Sequence, residues 1–146
     1  MILISDTPFD PGEHLNQFSK ANISAGAISS FLGQVRNENG TVKALELQSN
    51  KGVTEQGIAQ AETQARERFS LIDVLIIHRI GTMEIGEPIV LVLVAAKHRR
   101  DAFEVCDFLM DYLKTEAMFW KKQTGKTGSL WIEPRAQDYQ DNKRWS

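Results

Sequence analysis

Eight consecutive apolar residues, Ile89 to Ala96, constrain this chain more than any other feature. A strand with one wet face alternates apolar and polar side chains, so a run without alternation must be covered on both faces. The run is far shorter than the ~20 residues a membrane helix needs. It therefore predicts a central strand sandwiched between two layers. Ile72 to Ile80 is a second strongly apolar strand, ending in His78-Arg79-Ile80-Gly81. The turn residues Glu84-Ile85-Gly86-Glu87-Pro88 separate the two.

The remaining elements arrange themselves around that pair. Met1 to Ser5 is a short apolar strand. Asp10-Pro11-Gly12-Glu13 opens a helix to about Lys20: Asp10 caps, Pro11 suits the first turn, and Glu13 stands at the capping-box position. Leu15 and Phe18 are expected on its inner face. Ala25 to Val35 reads as a strand with Gly26 and Gly33 as bulge or close-approach points. Val42 to Gln48 alternates and is expected to pair with it. Thr54 to Phe69 is an amphipathic helix with Ile58, Ala61, Ala65 and Phe69 on one face. Asp101 to about Glu116 is another, its apolar stripe running through Ala102, Phe103, Cys106, Leu109, Met110 and Leu113. Trp120 to Gln123 and Ser129 to Ile132 form a hairpin around Gly125-Lys126-Thr127-Gly128. The polar tail ends in Lys143-Arg144-Trp145, which is expected to dock. The order β-α-β-β-α-β-β-α-β-β points to an α+β sandwich rather than a doubly wound parallel sheet.

A length of 146 residues suits one domain, and 42% apolar with 25% charged residues excludes global disorder. The net charge of -2 argues against a nucleic-acid binder that works by phosphate neutralisation. The N-terminus meets Asp6 after a short apolar start, with no secretory signal pattern. The single cysteine cannot form an internal disulfide, which fits a cytoplasmic home.

The chemistry lies in the cations. Lys97-His98-Arg99-Arg100 follows the buried strand and precedes a helix. A helix N-terminus already carries partial positive charge, so basic residues there have a cost that a bound anion offsets. The bland alternative is a solvated turn. Lys114 lies roughly 80° from the centre of its helix's apolar stripe, a flank position expected to be partly desolvated. A desolvated lysine works as acid, base or nucleophile near neutrality; the alternative is a lysine suiting a helix C-terminus. On a strand, Lys121 and Gln123 share one face, and Trp120 and Lys122 the other. Arg36 closes a strand in Gly33-Gln34-Val35-Arg36-Asn37, and Arg135 follows Trp131-Ile132-Glu133-Pro134. Cys106, on an apolar stripe, is core. No CxxC, P-loop or dinucleotide fingerprint is present, and His14, His78 and His98 are not spaced as ligands, so no metal is indicated. Arg36, His98, Arg99, Lys114 and Lys121 together read as a site for a small phosphorylated metabolite.

These residues resemble a known family. Phe31-Leu32-Gly33-Gln34-Val35-Arg36-Asn37, His78-Arg79-Ile80-Gly81, Ile85-Gly86-Glu87, His98-Arg99 with Ala102-Phe103, Asp111-Tyr112-Leu113-Lys114, Phe119-Trp120-Lys121-Lys122 and Trp131-Ile132-Glu133 occur in the order and spacing of the large, catalytic subunit of molybdopterin synthase. The similarity runs from about Ala25 to Arg135. It implies an α/β hammerhead-type fold with an additional antiparallel β subdomain, as one domain over 1–146 with its hairpin subdomain at about 118–134. It implies insertion of two sulfurs into cyclic pyranopterin monophosphate (precursor Z), giving the dithiolene of molybdopterin. The sulfur is supplied by a ubiquitin-like small subunit carrying a C-terminal thiocarboxylate, so no permanently bound cofactor is expected. A homodimer with a small subunit at each end, a heterotetramer, is implied, with no nucleic-acid or membrane partner. Residue by residue, Lys114 matches the catalytic lysine and Lys121 a second pocket lysine. Gln34, Val35 and Arg36 match a substrate-binding turn, His98 and Arg99 a His-Arg pair, and Lys122 and Gln123 the pocket edge. Arg135 matches an arginine that reaches the neighbouring subunit's pocket. Met118 stands where proline is usual, Gln123 where glutamate is usual, and residues 48–53 lack the common tyrosine or histidine. The competing reading is a non-catalytic binding module for a ubiquitin-like sulfur carrier, marked by an exposed Lys114 without an enclosed pocket. A third is another enzyme of phosphorylated metabolites.

Overall fold

The structure is a computed structural model. It describes residues 1–36, 42–48, 51–115, 120–125, 128–132 and 135–145, with side chains over 1–36, 54–115 and 135–145. In chain order the elements are β1 (Ile2–Ser5), α1 (Pro11–Ala21), β2 (Ala27–Gln34), β3 (Val42–Gln48), α2 (Lys51–Arg68), β4 (Asp73–Arg79), β5 (Gly81–Glu84), β6 (Pro88–Ala96), α3 (Arg99–Thr115), β7 (Trp120–Gly125), β8 (Gly128–Ile132) and α4 (Ala136–Lys143).

The uninterrupted apolar run is β6, an interior strand of a four-stranded sheet ordered β1-β4-β6-β2. Val90, Val92 and Val94 face a cluster built with Ile58 and Ala61 of α2 and Val105 and Leu109 of α3. Leu91, Leu93 and Ala95 face the other way, toward Phe18 of α1. β4 repeats the division, with Val74 and Ile76 on the first face and Leu75 and Ile77 on the second. Each large aliphatic side chain buried this way contributes ~1.5–3 kcal/mol over leaving it in water. Two covered faces therefore follow directly from the absence of alternation.

The second sheet is four-stranded and antiparallel, ordered β5-β3-β7-β8. It contains the expected hairpin, with Gln123 opposite Leu130 and Gly125 opposite Gly128. The expected pairing of β2 with β3 does not form. β2 instead pairs with β6, from Ala27 opposite Ala96 to Leu32 opposite Leu91, while β3 pairs with β5 and β7. The physical reason lies in β6: its backbone is buried, so both of its edges need ladder partners. β4 takes one edge and β2 the other.

Several local expectations hold. Asp10 caps α1, its Oδ1 accepting from Gly12 N at 3.0 Å and Glu13 N at 3.3 Å. A Cβ on Gly26 would stand 2.2 Å from Lys97 O, so the backbone approach there admits only glycine. The β2–β6 register shifts between Gly33 and Gln34. Others are corrected. Leu15 is exposed, because α1 covers the sheet with Phe18 alone among its buried residues. Phe103 is 62% exposed. The buried stripe of α3 is rotated toward Val105 and Phe108, where α2 and Trp145 cover that flank. β5 and α4 were not legible as elements. No helix among the described residues is long and apolar enough to cross a membrane.

Candidate active site

The cations occupy two separate ends of the first sheet. β2 and β6 run antiparallel, so Arg36, two residues beyond β2, lies near Pro88, and Lys97 and His98 lie at the far end beyond Ala96. α3 starts at that far end and returns over the sheet, with Ser29 Oγ donating to Ala102 O at 2.7 Å near its start. Arg99 and Lys114 are separated by nearly the whole helix, about 22 Å along its axis at ~1.5 Å per residue. One chain therefore does not gather His98 and Arg99 with Lys114 and Arg36.

Lys97, His98, Arg99 and Arg100 are all exposed and make no ion pair with a described residue. The charges of Lys97, Arg99 and Arg100 stand at the start of α3 with only Asp101 in the first turn to offset them. At the opposite end, Lys114 is exposed in the last turn, rather than partly desolvated as its flank position predicts. The side chains of Lys121, Lys122 and Gln123 lie outside the described residues. Their backbone is strand: Lys121 stands opposite Leu47 and Ile132, Lys122 opposite Glu46 and Trp131, and Gln123 opposite Leu45 and Leu130.

Gln34 and Arg36 are exposed on either side of Val35. Val35 itself is buried against Met83 and Ile89. Its N–H donates to Glu87 O at 3.0 Å, and its carbonyl accepts from Gly86 N at 2.9 Å. Its side chain is turned into the core, away from the exposed side chains of Gln34 and Arg36. Its place is to fix the backbone from which Gln34 and Arg36 project.

Arg135 caps α4 and stays 67% exposed at its side chain. Asp138 closes the cap: its Oδ2 accepts from Arg135 N at 2.9 Å, and its Oδ1 from Arg135 Nη2 at 3.3 Å. Burial pushes the Asp138 carboxyl up, but the Arg135 N–H, the Arg135 guanidinium and the charge of Lys114 outweigh it and hold the pKa below the usual range. Asp138 thus connects electrostatically to both cations. Sequence reasoning passed it over as tail, although an acid three residues after a helix start is a capping signal.

The tail docks as expected. Asp111 Oδ2 accepts from Arg144 Nη2 and Trp145 Nε1, each at 2.6 Å, and from Arg144 Nε at 3.0 Å. Trp145 meets Phe108 and Phe69 edge to face, with ring centroids 5.5 and 5.8 Å apart. The lock holds α4, and with it Arg135, on α3. Cys106 is buried, and burial pushes its thiol up to about 11. Among the described residues no cluster of His, Cys, Asp and Glu could hold a metal ion.

The edge strand β2 and α3 form an open groove of about 350 Å³ lined by Ser29, Phe31, Phe103, Cys106, Asp107 and Met110. Phe31 and Leu32 beside it are about two-fifths exposed. The groove lies midway along α3, away from both cationic ends.

Residues 4–116 match the family model described as MoaE protein. The chain is 46% identical over 145 residues to the molybdopterin synthase catalytic subunit of Caulobacter vibrioides, covering 99% of this chain and 97% of that one. Among solved structures, the molybdopterin biosynthesis MoaE protein of Burkholderia ambifaria superimposes with a TM-score of 0.85 at 39% identity, covering 99% of this chain and 97% of that one. Molybdopterin synthase of Staphylococcus aureus gives 0.78 at 28% identity, covering 90% and 94%. With its two sheets, its cationic ends and this likeness along nearly its whole length, the chain belongs to the MoaE family, the family of the molybdopterin synthase catalytic subunit.

Proposed function

We propose that this chain inserts sulfur: it is the sulfurtransferase subunit that converts cyclic pyranopterin monophosphate into molybdopterin. The sulfur comes from the C-terminal thiocarboxylate of a ubiquitin-like small subunit, and the chain carries no resident cofactor. The carrying observation is the near-complete likeness to a molybdopterin synthase catalytic subunit. A cytoplasmic location accords with it. Arg36, His98, Arg99 and Arg135, with Gln34, Lys122 and Gln123 at the rim, hold the phosphate and pterin. Lys114 moves a proton or engages the acyl carbonyl while sulfur attacks, and Lys121 stabilises the negative charge that develops.

The separation of the cations favours a site completed across two copies. A two-fold axis perpendicular to β2 reverses its direction from one copy to the next. A second chain seated on the free edge of β2 would thus bring its His98–Arg99 end toward the Arg36–Lys114 end of the first. The apolar patch of Phe31, Leu32 and Phe103 along that edge is the surface such a dimer would cover. Exposure of Lys114 in one chain is then a property of the half-site and does not favour the binding-module reading.

The test is single-turnover conversion of precursor Z with thiocarboxylated small subunit, comparing wild type with Lys114→Ala. Dithiolene from wild type alone supports the assignment. Full turnover by Lys114→Ala removes Lys114 from the chemistry. Complex formation with the carrier but no product from wild type favours the binding module.

A further inference from the structure

Arg79 is a buried cation that the reaction as proposed does not use. Its side chain is 7% exposed at the end of β4, and its Nε has no hydrogen-bond partner among the described residues. Its Nη2 donates to Thr82 O and its Nη1 to Glu87 Oε1, both at 3.4 Å. A guanidinium taken out of water needs a compensating anion, and Glu87 is the carboxylate it has.

Glu87 in turn is held from two sides. Its Oε2 accepts from Glu84 N at 2.5 Å, which closes the turn between β5 and β6 across Gly86, itself at φ +86°. The Glu84 N–H, opposed by partial burial and helped by Arg79, keeps the Glu87 carboxyl below its usual range. The same turn grips the strand end that carries Arg36. Glu87 O accepts from Val35 N, and Gly86 N donates to Val35 O. An unbroken path of contacts thus leads from the buried guanidinium through the Glu87 carboxylate and the turn backbone to the residue before Arg36.

We infer that Arg79 and Glu87 are positioning residues: their ion pair fixes the β5–β6 turn, and the turn fixes the backbone from which Arg36 reaches the anionic substrate. The inference rests on the reading of Arg36 as a substrate-binding residue. Arg79 and Glu87 themselves touch no reacting atom. Preorganisation of this kind appears in substrate affinity, because an arginine on a loosened support loses rotational freedom on binding that a fixed one has already lost.

The variant of choice is Glu87→Gln, which keeps the shape and an acceptor but removes the charge opposite Arg79. It is compared with wild type, Arg36→Ala and the double variant, all with thiocarboxylated small subunit. The expected result is a KM for precursor Z raised about tenfold in Glu87→Gln, with kcat changed less than about twofold. In the Arg36→Ala background, Glu87→Gln should raise KM no further. A support of the fold alone would lower the melting temperature and act equally in both backgrounds. Backbone amide exchange supplies the second readout: Val35 and Gly86 should exchange faster in Glu87→Gln, while Val92 in the core stays protected. Arg79→Lys, which keeps the charge, should recover part of the affinity that Arg79→Ala loses. Unchanged exchange at Val35 and Gly86 overturns the inference, as does an equal KM effect with and without Arg36. Wild type that makes no dithiolene overturns the synthase reading instead, and the exchange rates still decide the role of Glu87.

Discussion

A composite site makes an arithmetic prediction. The α3 axis places Arg99 about 22 Å from Lys114, and the β2–β6 ladder from Ala27–Ala96 to Gln34–Pro88, extended to the residues beyond its ends, sets about 30 Å between Lys97 and Arg36 at ~3.3 Å per residue. A pterin phosphate cannot bridge that span within one chain. In a two-fold dimer each site draws Lys114 from one copy and His98 from the other. Co-expressing Lys114→Ala and His98→Ala chains under two different tags, and purifying on both, yields only heterodimers. One site then carries both substitutions and the other carries neither. The expected single-turnover yield is about half that of wild type, although each homodimeric variant is nearly inactive. Sites confined to single chains would each carry one lesion, and the heterodimer would be as inactive as its parents. That outcome, with heterodimer formation verified by mass, refutes the composite site.

Other outcomes follow from the same geometry. Trp145→Ala removes an indole packed on Phe69 and Phe108 and orphans part of the Asp111 acceptor, so denaturant unfolding should show a loss of about 2–4 kcal/mol, below or within the range for fully buried aromatics. Truncation before Arg144 should match that loss, and a melting curve equal to wild type would show that the lock holds nothing. Asp138 has a folded pKa below its ordinary 3.8, so its contribution is complete above that value and is lost as pH falls through the lower folded value. Asp138→Asn should therefore narrow the gap to wild type as melting is followed from pH 6 down to pH 2–3; a constant gap would contradict the linkage. Cys106→Ala should leave turnover within about twofold of wild type while costing some stability, and a loss of two orders of magnitude in rate would contradict its assignment to the core.

The legible parts of the fold were those whose physics is local. The lack of alternation in Ile89–Ala96 demands two covered faces, and α1, α2 and α3 supply them. Asp10 capping and the Gly26 approach are set by a few neighbouring atoms. What stayed hidden depends on distant partners. The pairing of β2 with β6 in place of β3 is decided by the free edge of a strand about sixty residues away in sequence. The short β5 exists because β3 lies beside it. α4 has little apolar pattern of its own and is fixed from outside, by Asp107 and Asp111 on Arg144 and by the rings around Trp145. For the site, residue types pointed to the cations but not to their division between two ends of one sheet. Asp138 goes unread in the sequence, and Glu87 reads only as part of a turn motif, because a structural carboxylate announces itself only through the groups facing it.

The single cysteine constrains where sulfur comes from. A thiol at about 11 is ionised to the order of one part in ten thousand at pH 7. Thiolate is the form that attacks and carries sulfur, so Cys106 is a poor relay. The surrounding apolar side chains that raise its pKa also hold it in the core, so the two properties are one. In the proposed reaction, with no other cysteine in the chain, sulfur would arrive on another molecule, already bonded to a group that releases it. A thiocarboxylate meets that need: its sulfur would bond to the substrate as a thioester, and water would then cleave the acyl–sulfur bond, leaving the thiol on the substrate and a carboxylate on the carrier. What such a donor asks of this chain is cationic support for two anions, the thiocarboxylate and the substrate phosphate, in one place. A slightly acidic chain with exposed cations at two ends of one sheet would answer that demand in the proposed dimer, where two copies bring the ends together.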